Sequence, residues 1–252
     1  MKLYCQLLEV FTVREIKSSY KASFLGVLWI ILYPLMTTFF LSFLFGQVIK
    51  IADDGVPYFI FLLSGLIFWN LFQQAVTLAK DSLIWNREIV TKTAFPKEVL
   101  PLSLIFSKIP DFLVNLAMLF VFLMAFGIKI KLAFALVVLA IIPVILLAGG
   151  IGFIFSITNG VFRDFGKMIE FLLMMLFYAT PILYSEGYIP KKYFWFVTIN
   201  PLALIISFVR NLFFKDTLRA DLFMTSLIIS LVIFLAGIIF FRRFEKKIVD
   251  LI

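Results

Sequence analysis

The sequence has no histidine and only one cysteine, Cys5, in 252 residues. A lone thiol cannot close an internal disulfide, and the commonest metal ligand and acid–base catalyst at neutral pH is missing. Charge is scarce too: Asp, Glu, Lys and Arg make up 15% of the chain, whereas 63% is hydrophobic. Soluble domains carry roughly 25% charged and 45–50% apolar residues, so a soluble globular protein is excluded. Disorder, which needs low apolar content, is excluded with it. The chain also lacks a Gly-x-x-x-x-Gly-Lys-Ser/Thr phosphate loop, since its Gly166-Lys167 pair is followed by Met168. Any coupling to ATP by that route has to come from a partner.

What remains is an all-α polytopic membrane protein with a mean hydropathy of +1.10. Charge-free runs lie at 22–49, 55–79, 112–128, 132–162, 171–185, 193–209 and 222–241. A helix needs about 20 apolar residues to cross a hydrocarbon core of about 30 Å. The run at 193–209 is short and is interrupted by Asn200-Pro201, where proline removes a donor and disfavours helix before it. It reads as a re-entrant or interfacial pair of short helices. Six spans follow, the fifth extended back through Met168 and Ile169 with Glu170 facing protein or the interface. They form a single transmembrane domain over 1–252 with no room for a separate soluble one. With the N-terminus inside, 15 Lys and Arg fall on the inner segments and 8 on the outer, which predicts both termini cytoplasmic.

Charges at Glu9, Arg14, Glu15, Lys17 and Lys21 argue against a cleavable signal peptide. Leu3, Leu7, Val10, Arg14 and Lys17 recur near helical spacing, with Leu8, Phe11 and Val13 enlarging the apolar side, as in a helix lying at the membrane surface. The central parts of the spans carry no Asp, Glu, Lys or Arg, and no internal repeat is visible, which disfavours an ion-coupled carrier. Between the second and third spans, 80–110 is long enough to leave the membrane and return. Asp81 or Ser82 can cap a short helix there, and Pro96 and Pro101 limit helical continuity. Arg87, Glu88, Lys92, Lys97 and Glu98 give the segment the mixed charge of a wet docking surface. In the fourth span Ala148, Gly152, Ser156 and Gly160 form a small-residue stripe suited to close approach within the subunit. The basic run Arg242-Arg243-Phe244-Glu245-Lys246-Lys247 fits anchoring to anionic lipid, and no nucleic-acid module is suggested.

Asn86, Lys92 and Phe95-Pro96-Lys97-Glu98-Val99-Leu100-Pro101 resemble the Asn…Lys-x-x-Phe-Pro-Arg-Glu-Ile-Leu-Pro pattern of membrane subunits of polysaccharide-exporting ABC transporters, with Lys97 for Arg and Val99 for Ile. Arg14, Lys17, Tyr20, Lys21 and Ser23 through Trp29, followed by Pro34, look like the N-terminal signature of that family. Pro57-Tyr58, Gly65-Leu66, Trp69, Arg163-Asp164, Pro181, Tyr184, Asn200-Pro201-Leu202 and Arg210 match in order. The likeness is greatest to O-antigen, capsule and teichoic-acid permeases.

The resemblance implies a permease subunit, not an enzyme, in a bacterial inner (cytoplasmic) membrane. It implies a homodimer joined by two nucleotide-binding ATPase subunits that bind ATP and Mg, with no cofactor on this chain. The cargo would be an undecaprenyl diphosphate-linked polysaccharide carried outward among membrane lipid. An interface helix would occupy 1–23, and a coupling helix 83–100, with Asn86, Arg87, Glu88, Lys92, Phe95, Pro96, Lys97 and Glu98 at the ATPase. Short exit-gate helices would occupy 188–214, with Trp195, Asn200, Pro201 and Arg210.

Aromatic faces hold sugars weakly enough to let them slide, and the family's first and fifth spans border its channel. The candidate lining residues are therefore Trp29, Tyr33, Phe39, Phe40, Phe43, Phe177, Tyr178 and Tyr184. Interfacial anchoring is the alternative for Trp29, Tyr184 and Trp195. The competing functions are an ABC permease for a drug or small lipid, and a membrane-embedded lipid- or glycan-transferring enzyme. The enzyme would need a carboxylate cluster, whereas the outer carboxylates Asp53, Asp54, Glu186, Asp216 and Asp221 are sparse.

Overall fold

The computed structural model describes residues 2–21, 26–49, 56–129, 131–162 and 164–251. Among them the regular elements are all helical: α1 Lys2–Lys21, α2 Leu28–Leu41, α3 Tyr58–Trp85, α4 Arg87–Lys92, α5 Val99–Phe106, α6 Ile109–Ala125, α7 Leu136–Leu139, α8 Ile141–Val161, α9 Phe165–Ala179, α10 Trp195–Ile199, α11 Pro201–Phe214 and α12 Ala220–Leu251. A π-helical stretch, Ser42–Val48, continues α2. Five of the resulting spans are long and apolar enough to cross a membrane: Leu28–Val48, Tyr58–Trp85, Val99–Ala125, Leu136–Val161 and Ala220–Glu245. The pair Lys191–Ile199 and Pro201–Phe214, bent by 96°, makes a sixth if counted as one crossing. The chain is thus a multi-pass α-helical membrane protein.

The central helix is α3, which packs against α8, α5, α6, α2, α11 and α9. Its core residues include Phe68, Phe72, Ala75, Val76 and Ala79, all completely buried. Helix α8 lies against both α3 and α12, and its glycines explain how. A Cβ on Gly152 would sit 2.8 Å from the Ala79 Cβ on α3. One on Gly150 would sit 2.5 Å from the Ile233 carbonyl oxygen of α12, and one on Gly237 would sit 2.3 Å from the Gly150 oxygen. In lipid, helices associate through van der Waals contact rather than exclusion of water, so these bare backbones supply contact area that any side chain would remove. The fourth-span stripe therefore works inside the subunit through Gly152, while Gly149 and Gly150 form a second close contact on another face. By contrast, α2 buries only Pro34 and Thr38.

Several boundaries depart from those read in the sequence. The third span starts at Val99 rather than 112, because Lys108 and Asp111, which end the apolar run, neutralise each other at 3.3 Å. The fifth helix ends at Ala179 rather than continuing to 185, since Pro181 follows; its 15 residues reach about 22 Å. Glu170 on it is exposed but pairs at 3.1 Å with the buried Lys80 ammonium of α3. Asp81 and Ser82 cap nothing and lie inside α3, and Asn86 occupies the position before α4. The segment 83–100 is not one helix: α4 has six residues, and 93–98 is irregular before α5. Residues 22–25, Asp53, Asp54 and Arg163 lie outside the described residues, as does Met1.

Candidate coupling, lining and exit sites

Around α4, three distant segments meet. The Arg14 guanidinium of α1 donates to Asn86 Oδ1 at 2.9 Å, and Asn86 Nδ2 donates to the Ser82 carbonyl at 2.8 Å. The same Arg14 lies 4.8 Å from the Phe11 ring centre, and Phe11 stacks on Phe95 at 6.1 Å. Tyr4, Leu8, Phe11 and Phe95 surround an apolar knot formed by Leu83, Val90, Leu100 and Phe241. Burial, reinforced by nearby Glu98, raises the Tyr4 hydroxyl above its ordinary pKa.

Away from that knot, α1 carries exposed Leu3, Val10 and Val13. Lys17 and Lys21 are exposed as well. Tyr20 turns inward and donates to the Asp111 carboxylate. Burial first, and that carboxylate second, push its hydroxyl above the ordinary tyrosine range.

The predicted docking residues divide into three groups. Arg87, Glu88, Lys92 and Pro96 are exposed, while Asn86, Phe95 and Lys97 are half-buried. Glu98 does not belong to a docking surface: it is 6% exposed and accepts from the Arg242 guanidinium at 3.0 Å. That pair also gives part of the C-terminal basic run a protein partner rather than lipid alone. Trp85, 59% exposed on the last turn of α3, was overlooked in the sequence. A tryptophan directly before the polar tip is the signal that could have identified it, since aromatic anchors dominate interfaces.

The aromatics of α2 are all exposed, but they do not share one surface. Phe39 and Phe43 line an apolar recess of about 620 Å³ with Phe59, Phe122 and Phe126. Trp29 and Tyr33 border a different, polar cavity of about 370 Å³ with Tyr20, Gln74 and Asn115. Phe40 is 62% exposed and lines neither cavity. Phe177 is half-buried, edge-on to Trp69 at 5.4 Å, while Tyr178 is exposed. The half-buried Tyr184 donates to the Tyr178 carbonyl at 2.9 Å.

At the other end, Asn200 caps α11 by accepting from the Leu202 and Ala203 amides at 3.0 and 3.4 Å, and Pro201 takes the first helical position. The cap residue also donates to Thr180 Oγ1 at 2.9 Å, tying the bend to the end of α9. Arg210 is buried. Its guanidinium donates to the carbonyls of Pro181 at 2.6 Å, Ile182 at 2.8 Å and Phe61 at 3.1 Å, and stands 3.5 Å from the Phe61 ring centre. The irregular turn after α9 leaves carbonyls without helical partners, and Arg210 satisfies them where water is scarce. Trp195 is 52% exposed and stacks on Phe196 at 3.8 Å.

Residues 6–214 match the family described as ABC-2 type transporter. The chain is 33% identical over 251 residues to an O-antigen export system permease protein RfbA of Klebsiella pneumoniae, covering 98% of this chain and 95% of that protein. It is 28% identical over 217 residues to RfbA of Myxococcus xanthus, covering 85% and 83%. To the polysialic acid transport protein KpsM of Escherichia coli it is 26% identical over 209 residues, covering 81% and 79%. A helical membrane body with a polar helix held out between its second and third spans, and a match over most of its length, place this chain in the ABC-2 type transporter family.

Proposed function

We propose that the chain is the membrane subunit of an ATP-driven exporter that moves a lipid-linked polysaccharide out of the bacterial cytoplasm. The second copy of the chain and two ATPase subunits complete the machine, ATP and Mg act on those partner subunits, and undecaprenyl diphosphate is the carrier. The observation that supports this most strongly is α4, exposed at Arg87, Glu88 and Lys92, with Arg14 of α1 bonded to Asn86 just before it and Arg242 of α12 bonded to Glu98 in the stretch that follows it. A six-residue helix is too short to be stable alone, so its fixed position comes from those flanking braces. A braced polar tip can carry a displacement from a soluble partner into the membrane.

In this reading Trp85, Arg87, Glu88, Lys92 and Pro96 contact the ATPase. Trp195, Asn200, Pro201 and Arg210 shape the outer exit, with both termini cytoplasmic. The relatives' names favour a polysaccharide over a drug or a small lipid as cargo. The test is co-purification with the candidate ATPase, comparing wild type with Arg87→Glu/Glu88→Lys, together with assay of surface glycan. Loss of the complex and of surface glycan, with lipid-linked polymer building up inside, is the expected result. An unchanged complex with normal surface glycan would refute the docking assignment.

A further inference from the structure

The apolar surface of α3 is interrupted in the middle of the membrane by amides. Gln73 and Gln74 are exposed, Asn70 and Thr77 are half-exposed, and the opposite side of the helix, with Phe72, Ala75, Val76 and Ala79, is buried. At 100° per residue these four polar positions occupy about 100° of the circumference, a continuous stripe. Asn70 lies ten residues, or about 15 Å, from Lys80, deep within the span. Amides facing hydrocarbon would cost several kcal/mol each, on the order of 2–7 without partners, so this stripe is not a lipid-facing surface.

The stripe borders a groove of about 340 Å³ shared with Tyr33 of α2 and Lys108. A second cavity of about 370 Å³ shares Tyr33, Gln74 and Lys108 and extends to Tyr20 and Asn115. Together they form one trough from the Tyr20–Asp111 bond to mid-membrane. Among the described residues, two buried polar atoms of its lining side chains have no protein partner. One is a donor, Asn70 Nδ2, and the other an acceptor, Asn115 Oδ1, on a residue only 8% exposed. Lys108, by contrast, is already neutralised by Asp111, so the trough offers little net charge for an ion.

We propose that this trough is the hydroxyl-binding wall of the transport path in its Tyr20-to-mid-membrane half. Asn70, Gln73 and Gln74, with the Tyr33 hydroxyl, exchange hydrogen bonds with a polyhydroxylated chain as it slides. The proposal rests on the exporter reading and gives that path a specific lining. An amide presents both a donor and an acceptor, and so does a sugar hydroxyl. Gln74 can therefore meet a hydroxyl of either orientation, which suits a cargo whose groups change at every residue, while the buried Asn70 amine reaches the groove only when its side chain rotates. Uncharged bonds in a wet groove are weak enough to release, which steady passage requires. Gln73 Oε1 already accepts from Trp69 Nε1 at 2.8 Å, which leaves its NH₂ to face the groove.

The test compares wild type, a deletion strain, Asn70→Leu/Gln73→Leu/Gln74→Leu, and the same three positions changed to Ser. Surface polymer, internal lipid-linked polymer, self-association and ATPase co-purification are measured in each. The Leu variant is expected to assemble normally while surface polymer falls about tenfold, the ratio carried by one or two lost weak hydrogen bonds. The Ser variant should recover most of the export. Normal export by the Leu variant, or loss of self-association showing that the amides join subunits, overturns the proposal. Normal surface polymer in the deletion strain instead overturns the exporter reading.

Folding failure is covered by Gln74→Cys in a Cys5→Ser background, treated with a water-soluble maleimide. Labelling is expected, with protection while polymer is being made. An unreactive thiol, or labelling that polymer does not affect, refutes the wall.

Discussion

Replacing Arg210 tests whether the turn after α9 is held by hydrogen bonds from one buried side chain. In Arg210→Met the Phe61 carbonyl keeps the Ser64 hydroxyl at 2.7 Å, but the Pro181 and Ile182 carbonyls lose the guanidinium donors they have at 2.6 and 2.8 Å. Each orphaned buried acceptor costs about 1–3 kcal/mol. Relief from burying a guanidinium offsets part of this, for a net loss of about 2–4 kcal/mol. For a chain of this size that corresponds to a Tm lower by about 5–12 °C. Arg210→Lys keeps the charge without the planar fork, and should lose about half as much.

Gly65 supplies an internal control. A Cβ there would lie 2.9 Å from Arg210 Nη2, so Gly65→Ala displaces the guanidinium and should cost about 1–2 kcal/mol in wild type and almost nothing beside Arg210→Met. Thermal melts of all four proteins in lipid nanodiscs, with protease cleavage within 185–195 as a local probe, give the cycle. An Arg210→Met protein as stable as wild type, or a Gly65→Ala cost that simply adds, would refute the clamp.

Two further outcomes follow from the same kind of reasoning. Gly237→Val drives a side chain into the Gly150 carbonyl, and should lower stability by about 2–4 kcal/mol in nanodisc melts, whereas Gly127→Ala, with open space around it but a φ of +77°, should cost only the backbone strain of about 1–2 kcal/mol. Arg242→Met leaves the buried Glu98 carboxylate without its cation. Because Arg242 is largely exposed and screened, the loss should be only about 1–2 kcal/mol, exceed that of Glu98→Gln, and loosen 93–98 in hydrogen exchange.

Five spans were legible because lipid demands long apolar helices, whereas the expected fifth, α9, has only 15 residues and falls short of one; the Asn200-Pro201 break was legible because proline and a capping amide carry their geometry locally. What sequence reading missed depended on partners far along the chain. The third span passes through Lys108 because Asp111 neutralises it and Tyr20 donates to that carboxylate, while counting charges one at a time ends the run there. Glu98 has the composition of a docking residue, and nothing near it in sequence reveals an arginine 144 positions away. The amides of α3 escaped for a different reason. A search for charge in the span passes over neutral polar groups, although their helical spacing was visible.

The contact between Gly150 and Gly237 also sets where movement can occur. Two helices touching backbone to backbone cannot slide without breaking many close contacts, so α8 and α12, with α3 seated on Gly152, behave as a frame. Helix α2, with two buried residues, is a loosely hung panel beside that frame. A spectroscopic label on α8 or α12 would thus report the position of the subunit as a whole. A label on α2 would report movement of that helix against the frame.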